Sequence, residues 1–292
     1  MNDVYGIDPE SPADFRDFAQ LMRLFDVDQG RFIARYPEGW VNLLRDHLSA
    51  ISDLDKAKFT EQWLDIGQSA LVPPESKKFT TKWGWEQNAV IELQSSVKKL
   101  IGQKGCSPAL APIDAELLSA DAFPDAKGRQ VKRTIADYVI AARPLLQTSP
   151  KIALIDPYFK LRYKIEGTDR WTTTRQYQVL KQFVSEAAKW GRVENILICV
   201  NKTQALVDDE DGVVFEDMLF EILDQLSVSS IQFEWRELDP NFSEERHPRY
   251  LLGMNRGLHF DWGFDFDSKN STTNHVHWIG KAVLEPLLKR FM

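Results

Sequence analysis

Histidine and arginine stand two residues apart in Glu244-Glu245-Arg246-His247-Pro248-Arg249. On a β-strand that spacing projects both side chains to one face, so His247 and Arg249 can address a single phosphate group. An imidazole there could attack or protonate, and a guanidinium could hold two phosphate oxygens in its planar fork. Further along, Asp267-Ser268-Lys269-Asn270-Ser271-Thr272-Thr273-Asn274 gathers small polar groups at the entrance of a predicted helix, where free backbone N–H groups favour an anion. Asp156, in Ile155-Asp156-Pro157-Tyr158, ends an apolar run. It reads equally as a ligand-facing residue at the edge of an open α/β sheet or as a cap for the turn before Pro157.

His259, His275 and His277, with Asp261 and Asp265, can be drawn as metal ligands. However, His275 and His277 flank Val276 at the start of a predicted helix, where neighbours two apart do not share a face. No metal and no other cofactor is therefore expected. His47 reads as surface or helix packing. Near the N-terminus, Trp83 and Trp85 with Phe79 offer either a stacking platform for a base or sugar or ordinary core packing, and packing is the preferred reading.

The elements that must position these residues fall into two halves. Residues 11–52 read as helical, with Phe15, Phe18, Leu21, Met22 and Phe25 at three- and four-residue spacing. Helical patterns follow at 40–51, at 56–71 before Pro73-Pro74, and at 85–101 before Gly102. The expectation is a helical N-terminal domain over 1–105. A connector rich in Gly, Pro, Ser and Asp follows over 106–130. From 131 the pattern alternates: a helix at 131–146, a strand at 151–156, a helix at 175–190, a strand at 195–200, a helix at 213–226 and a strand at 230–238. Two short strands at 249–253 and 257–260 flank Met254-Asn255-Arg256, and a closing helix is predicted over 275–291. Residues 131–292 are thus expected to form an α/β domain, a mixed sheet flanked by helices.

At 292 residues the chain is long enough for two cores, and 43% hydrophobic with 27% charged residues is an ordinary globular composition. A net charge of -7 argues against a surface built to grip nucleic acid along its length, while leaving room for a local basic groove. The two cysteines, Cys106 and Cys199, have no metal-like partner at the usual spacing and read as reduced thiols. No apolar run approaches the ~20 residues of a membrane-spanning helix, and the N-terminus lacks a signal-peptide pattern. A cytoplasmic protein with no membrane partner is the expectation.

The strands at 152–158 and 195–200, His247-x-Arg249, and the cluster of Asn270, Ser271 and Asn274 together resemble one phospholipase D-like unit over residues 131–292. The similarity is to the single-copy branch that includes MIT C-terminal domains and phospholipase D-like proteins of bacterial defence loci. That resemblance implies His247 as nucleophile, Arg249 as the cation, and Asn270, Ser271 and Asn274 as phosphate ligands. Two departures from the family's H-x-K-x4-D motif stand out. Arg249 replaces Lys, exchanging a compact ammonium for a fork, and Met254 stands where the motif has Asp. A complete site in this superfamily uses two such motifs, so turnover would require a homodimer pairing two His247 side chains. The resulting expectation is a degenerate site in a phosphate- or nucleic-acid-recognising or assembly subunit of a bacterial antiphage system, with other protein subunits as partners. The alternative is a metal-independent phosphodiesterase or nuclease.

Overall fold

The structure, a computed structural model, describes residues 3–25, 30–49, 53–63, 70–102, 109–113, 117, 128–205, 212–239, 249–267, 269 and 271–292. The chain divides into two compact units, Met1–Lys127 and Gly128–Met292.

The first unit is α/β, which corrects the expectation of a helical domain. Its strands are β1 (Asp3–Ile7), β2 (Arg31–Ala34), β3 (Leu71–Val72), β4 (Lys99–Gly102) and β5 (Leu110–Pro112), and its helices are α1 (Phe15–Met22), α2 (Trp40–Ser49), α3 (Asp53–Gln62) and α4 (Trp85–Glu92). All five strands run parallel in the order β3-β2-β1-β4-β5. A parallel sheet is covered on both faces, so its strands show no polar–apolar alternation, and strands of two to five residues are too short to interrupt a helical periodicity. All four residues of β2 are buried. The predicted helix over 85–101 likewise ends at Glu92, and its last residues belong to β4.

Helices cover both faces. Phe18, Leu21 and Met22 of α1, with Trp40, Leu44 and Leu48 of α2, pack on Tyr5, Ile7, Ile33 and Ile101. Trp85 and Ala89 of α4, with Leu93, pack on Ala34, Leu100 and Leu110 of the other face. Trp85 is a core residue whose indole N–H donates to the Tyr36 carbonyl at 2.8 Å, while Trp83 is exposed. The strand order is that of doubly wound sheets, with its reversal between β1 and β4. The turn after β1, Asp8-Pro9-Glu10-Ser11-Pro12, lacks the glycines with which such sheets admit a pyrophosphate.

The second unit holds a seven-stranded mixed sheet in the order β11-β10-β7-β12-β13-β14-β6. Its strands are β6 (Gly128–Lys132), β7 (Lys151–Ile155), β10 (Asn195–Val200), β11 (Gln232–Glu237), β12 (Tyr250–Leu252), β13 (Gly257–Phe260) and β14 (Thr273–Trp278). A separate hairpin pairs β8 (Arg162–Lys164) with β9 (Trp171–Thr173). Strands β11, β10 and β7 are parallel, and β12, β13, β14 and β6 follow by antiparallel pairing. The helices are α5 (Ile135–Thr148), α6 (Arg175–Trp190), α7 (Lys202–Ala205), α8 (Val213–Leu226) and α9 (Lys281–Phe291).

Side chains on the helices decide what each sheet face does. Leu284, Leu287 and Phe291 of α9 bury Ala153, Ile155, Leu197, Cys199, Tyr250 and Leu252 on one face. Alternate residues point to the other, where Tyr138 of α5 meets Phe260 edge-on at 5.7 Å and Phe183 of α6 meets Phe264 at 6.2 Å. Helix α6 begins at Thr174, whose hydroxyl accepts from the Tyr177 N–H at 3.0 Å, and ends at Gly191 in the left-handed region (φ 60°). The closing helix predicted over 275–291 is a correction as well: its first residues are strand β14, and the helix starts at Lys281.

Candidate functional site

Three strand ends meet around Arg249, which immediately precedes β12. Its carbonyl accepts from the Phe260 N–H at 2.9 Å, fixing it beside the end of β13. Its Nη1 donates to the Asp261 carbonyl at 2.6 Å, and its guanidinium carbon lies 5.6 Å from the centre of the Tyr158 ring. Asp156 follows β7 directly. Its carboxylate accepts the Tyr158 N–H at 2.9 Å and the Phe264 N–H, and the residue is 1% exposed. Burial pushes this carboxyl up to about 6, against the backbone donors and the positive charge of Arg249.

Asp156 therefore caps the Pro157 turn and clasps the 261–267 segment from beneath. The reading that puts it at the ligand edge is corrected, because its carboxylate is out of reach of solvent. Gly263 makes the clasp close. It lies at φ 71°, and a Cβ there would fall 2.8 Å from Asp156 Oδ2 and 3.0 Å from Arg249 Cδ.

His247 and Asn270 lie outside the described residues. Ser271 lies within them, at the start of the run into β14, and this run is a strand entrance and not the helix entrance expected from the sequence. Its donors are already occupied. Asp267 Oδ2 accepts the N–H and hydroxyl of Ser271 at 2.9 and 2.8 Å and those of Thr272 at 2.9 and 3.0 Å. Asp267 Oδ1 accepts the Lys269 N–H at 2.9 Å. These donors, the Lys269 N–H first, hold the Asp267 carboxyl well below the usual carboxylate range. The loop thus forms an anion cradle filled by its own carboxylate.

Asn274 is also corrected. It is fully buried, its Nδ2 donates to the Tyr138 hydroxyl at 3.0 Å and to the Gly263 carbonyl at 3.1 Å, and its Oδ1 accepts the Trp262 N–H at 3.0 Å. The carboxamide ties helix α5 to the turn after β13 and cannot reach a phosphate in solvent. Arg133 adds to this tether, with Nε donating to the Asp265 carbonyl at 3.1 Å.

A second polar group forms on the sheet face that α9 leaves beyond β12. Register pairs Tyr250 with His259 and His259 with His277, placing all three on one face. Asp261, two residues after His259, donates its N–H to the His275 carbonyl at 3.1 Å, so Asp261 sits beside His275. His259 Nδ1 lies 3.2 Å from Asp261 Oδ1, His275 Nδ1 lies 3.6 Å from Asp261 Oδ2, and His277 Nδ1 lies 4.0 Å from Asp261 Oδ1. One donor atom each from His259, Asp261 and His277 falls within 4.8 Å of the others.

Burial, reinforced by the neighbouring His277, pushes the His259 imidazole down to about 4, and burial lowers His277 as well, so both rings are neutral at pH 7. The sequence reading separated His275 from His277 because it placed them on a helix. On β14 they alternate with buried Asn274, Val276 and Trp278, and two-residue spacing is what brings them to one face. The alternation Asn274-His275-Val276-His277-Trp278 was the available signal.

The chain matches no protein-family model and no curated protein. Among solved structures it is similar to TrmBL2, an archaeal chromatin protein described as showing a novel mode of DNA binding, at 12% identity and a TM-score of 0.28. The match covers 60% of this chain and 55% of that one, and so spans about half the length of the archaeal protein. A superposition this loose carries no argument about function.

Proposed function

We propose that residues 128–292 form a phospholipase D-like-fold module whose His247-x-Arg249 position serves recognition or assembly within a multi-subunit bacterial system, antiphage defence being the setting the resemblance suggests, and does not turn over a substrate. One observation carries this reading: five donors that could have closed around a phosphate, from Lys269, Ser271 and Thr272, converge on Asp267. A phosphoryl group entering the loop would have to displace a carboxylate already satisfied by five hydrogen bonds. The other departures agree. Met254, in place of the motif's Asp, is exposed in the β12–β13 turn and has no group with which to orient an imidazole. Asn274 is committed to Tyr138, Trp262 and Gly263.

The test is hydrolysis of single- and double-stranded DNA, RNA and a chromogenic phosphodiester by the full chain and by His247→Ala, each with and without EDTA. The expected result is no turnover above the His247→Ala background. Hydrolysis that survives EDTA and disappears in His247→Ala would replace this reading with a histidine phosphodiesterase. Equilibrium binding of labelled oligonucleotides to the same preparations separates nucleic-acid recognition from assembly with protein subunits.

A further inference from the structure

We propose that His259, Asp261, His275 and His277 form a binding site for a divalent transition-metal ion of the zinc class, bridging β13 and β14 on the sheet face that α9 leaves open. The site is separate from the loop around Asp267, and the inference does not rest on the functional reading above.

The argument begins with the strands. Antiparallel pairing sets His259 opposite His277, and two-residue spacing adds Asp261 and His275 to the same face. Metal–nitrogen and metal–oxygen bonds of zinc are about 2.0–2.2 Å, which places neighbouring ligand atoms of a tetrahedral shell roughly 3.3 Å apart. His259 and His277, with Nδ1 3.2 and 4.0 Å from Asp261 Oδ1, need only small side-chain rotations to meet that geometry, and His275, 3.6 Å from the other oxygen, Oδ2, stands beside them as the fourth ligand. Imidazole-rich donors with one carboxylate suit zinc, cobalt, nickel or copper, whereas magnesium and calcium take oxygen.

Two further observations point into the cluster. The Nδ1 atom of His277 is buried and has no hydrogen-bond partner among the described residues, although Asp261 Oδ1 is 4.0 Å away. A buried nitrogen left in that state is a standing penalty, which coordination would remove. Opposite His277 on β6 stands Gly128, where a Cβ would lie 2.7 Å from His277 Cβ and 3.5 Å from His275 Nε2. A side chain there would be driven against the Cβ of His277 and would lie in contact with the His275 ring, so the glycine keeps the space beside both residues clear.

The experiment uses the full chain, stripped with a chelator and titrated with Co2+ as a spectroscopic probe, followed by competition with Zn2+. Wild type is expected to take up one equivalent of Co2+, to develop the strong visible absorption of a four-coordinate ion, and to show a raised Tm in Zn2+. His259→Ala and His277→Ala should each weaken binding about 100-fold or more, because even residues that only support a ligand change affinity by 10–100-fold. Gly128→Ala should weaken it less, and His47→Ala, whose wild-type Nε2 lies 2.9 Å from the Pro12 carbonyl oxygen, should leave it unchanged. Asp261→Asn, which keeps the side-chain shape, carries the same test should an alanine variant fail to fold by circular dichroism. Failure of folded wild type to bind Co2+ or Zn2+, binding unchanged in both histidine variants, or uptake of Mg2+ in preference to Zn2+ would overturn the proposal.

Discussion

The loop at 265–272 and the open face of β13 and β14 lie close in sequence, and both concentrate polar side chains. In the loop the groups complete one another: Asp267 accepts from Lys269, Ser271 and Thr272, while the adjoining Asn274 uses both ends of its carboxamide. On the open face they do not, since His277 Nδ1 is buried without a hydrogen-bond partner among the described residues and the carboxylate of Asp261 faces three imidazoles. Polar residues in a loop are thus no indication of a ligand when their partners are internal. The unsatisfied group is the better guide, because its desolvation is offset only by something the chain does not itself supply.

The sharpest way to break this contrast is Asn274→Ala. It leaves the Gly263 carbonyl without its buried donor, takes the acceptor from the half-buried Trp262 N–H and removes one partner of the Tyr138 hydroxyl, which keeps its bond to the Asp265 carbonyl at 3.1 Å, and about 3–4 kcal/mol of stability should be lost in denaturant unfolding. A loss under about 1 kcal/mol would mean that the carboxamide is not the tie described here.

Asp156→Asn is expected next in size, and its effect depends on pH. The folded carboxyl is raised to about 6, so as pH climbs from the ordinary carboxylate range through 6 the unfolded chain ionises first and wild type loses stability. The asparagine variant escapes that loss and should gain up to about 3 kcal/mol relative to wild type over this window. His259 slopes the other way. Its imidazole is lowered to about 4, so falling pH from about 6.5 to 4 favours the unfolded chain. With Asp156 removed its opposing slope no longer offsets that of His259, which His277 reinforces, and the variant should lose stability in acid more steeply than wild type. Parallel profiles of the two proteins in urea titrations across pH 4 to 8 would contradict the Asp156 assignment, and a variant whose stability does not fall from pH 6.5 to 4 would contradict that of His259.

The smallest change is expected for His277→Ala in metal-free buffer. Deleting an unsatisfied nitrogen should leave stability within about 1 kcal/mol of wild type, although the ring's packing is lost. A large loss would show that the ring is held by the fold itself.

How much of this could be read beforehand varied with element length and face. Helix α6 and strand β10 were legible because each shows a sustained pattern, a helical stripe in the first and an apolar run in the second. The parallel sheet of the first unit was not. Its strands are short and buried on both sides, so Arg31-Phe32-Ile33-Ala34 merges with the helical runs around it. At the site, Arg249 and the segment leading into β14 were recognised as polar centres, but their partners were not. No spacing rule pairs Asp267 with Ser271 and Thr272 or Asn274 with Tyr138, because those bonds depend on how the loop folds back on the sheet. One misassigned element, a helix drawn over β14, was enough to separate His275 from His277 and conceal the cluster.

The most direct test of the central claim, that the loop's donors are held by Asp267, is an amide chemical-shift titration of the full chain with inorganic phosphate, read at Lys269, Ser271 and Thr272. The account predicts no saturable shift in wild type and a saturable one in Asp267→Ala, where the five donors are released. Saturable shifts at those amides in wild type would contradict it, since phosphate would then be able to displace the carboxylate.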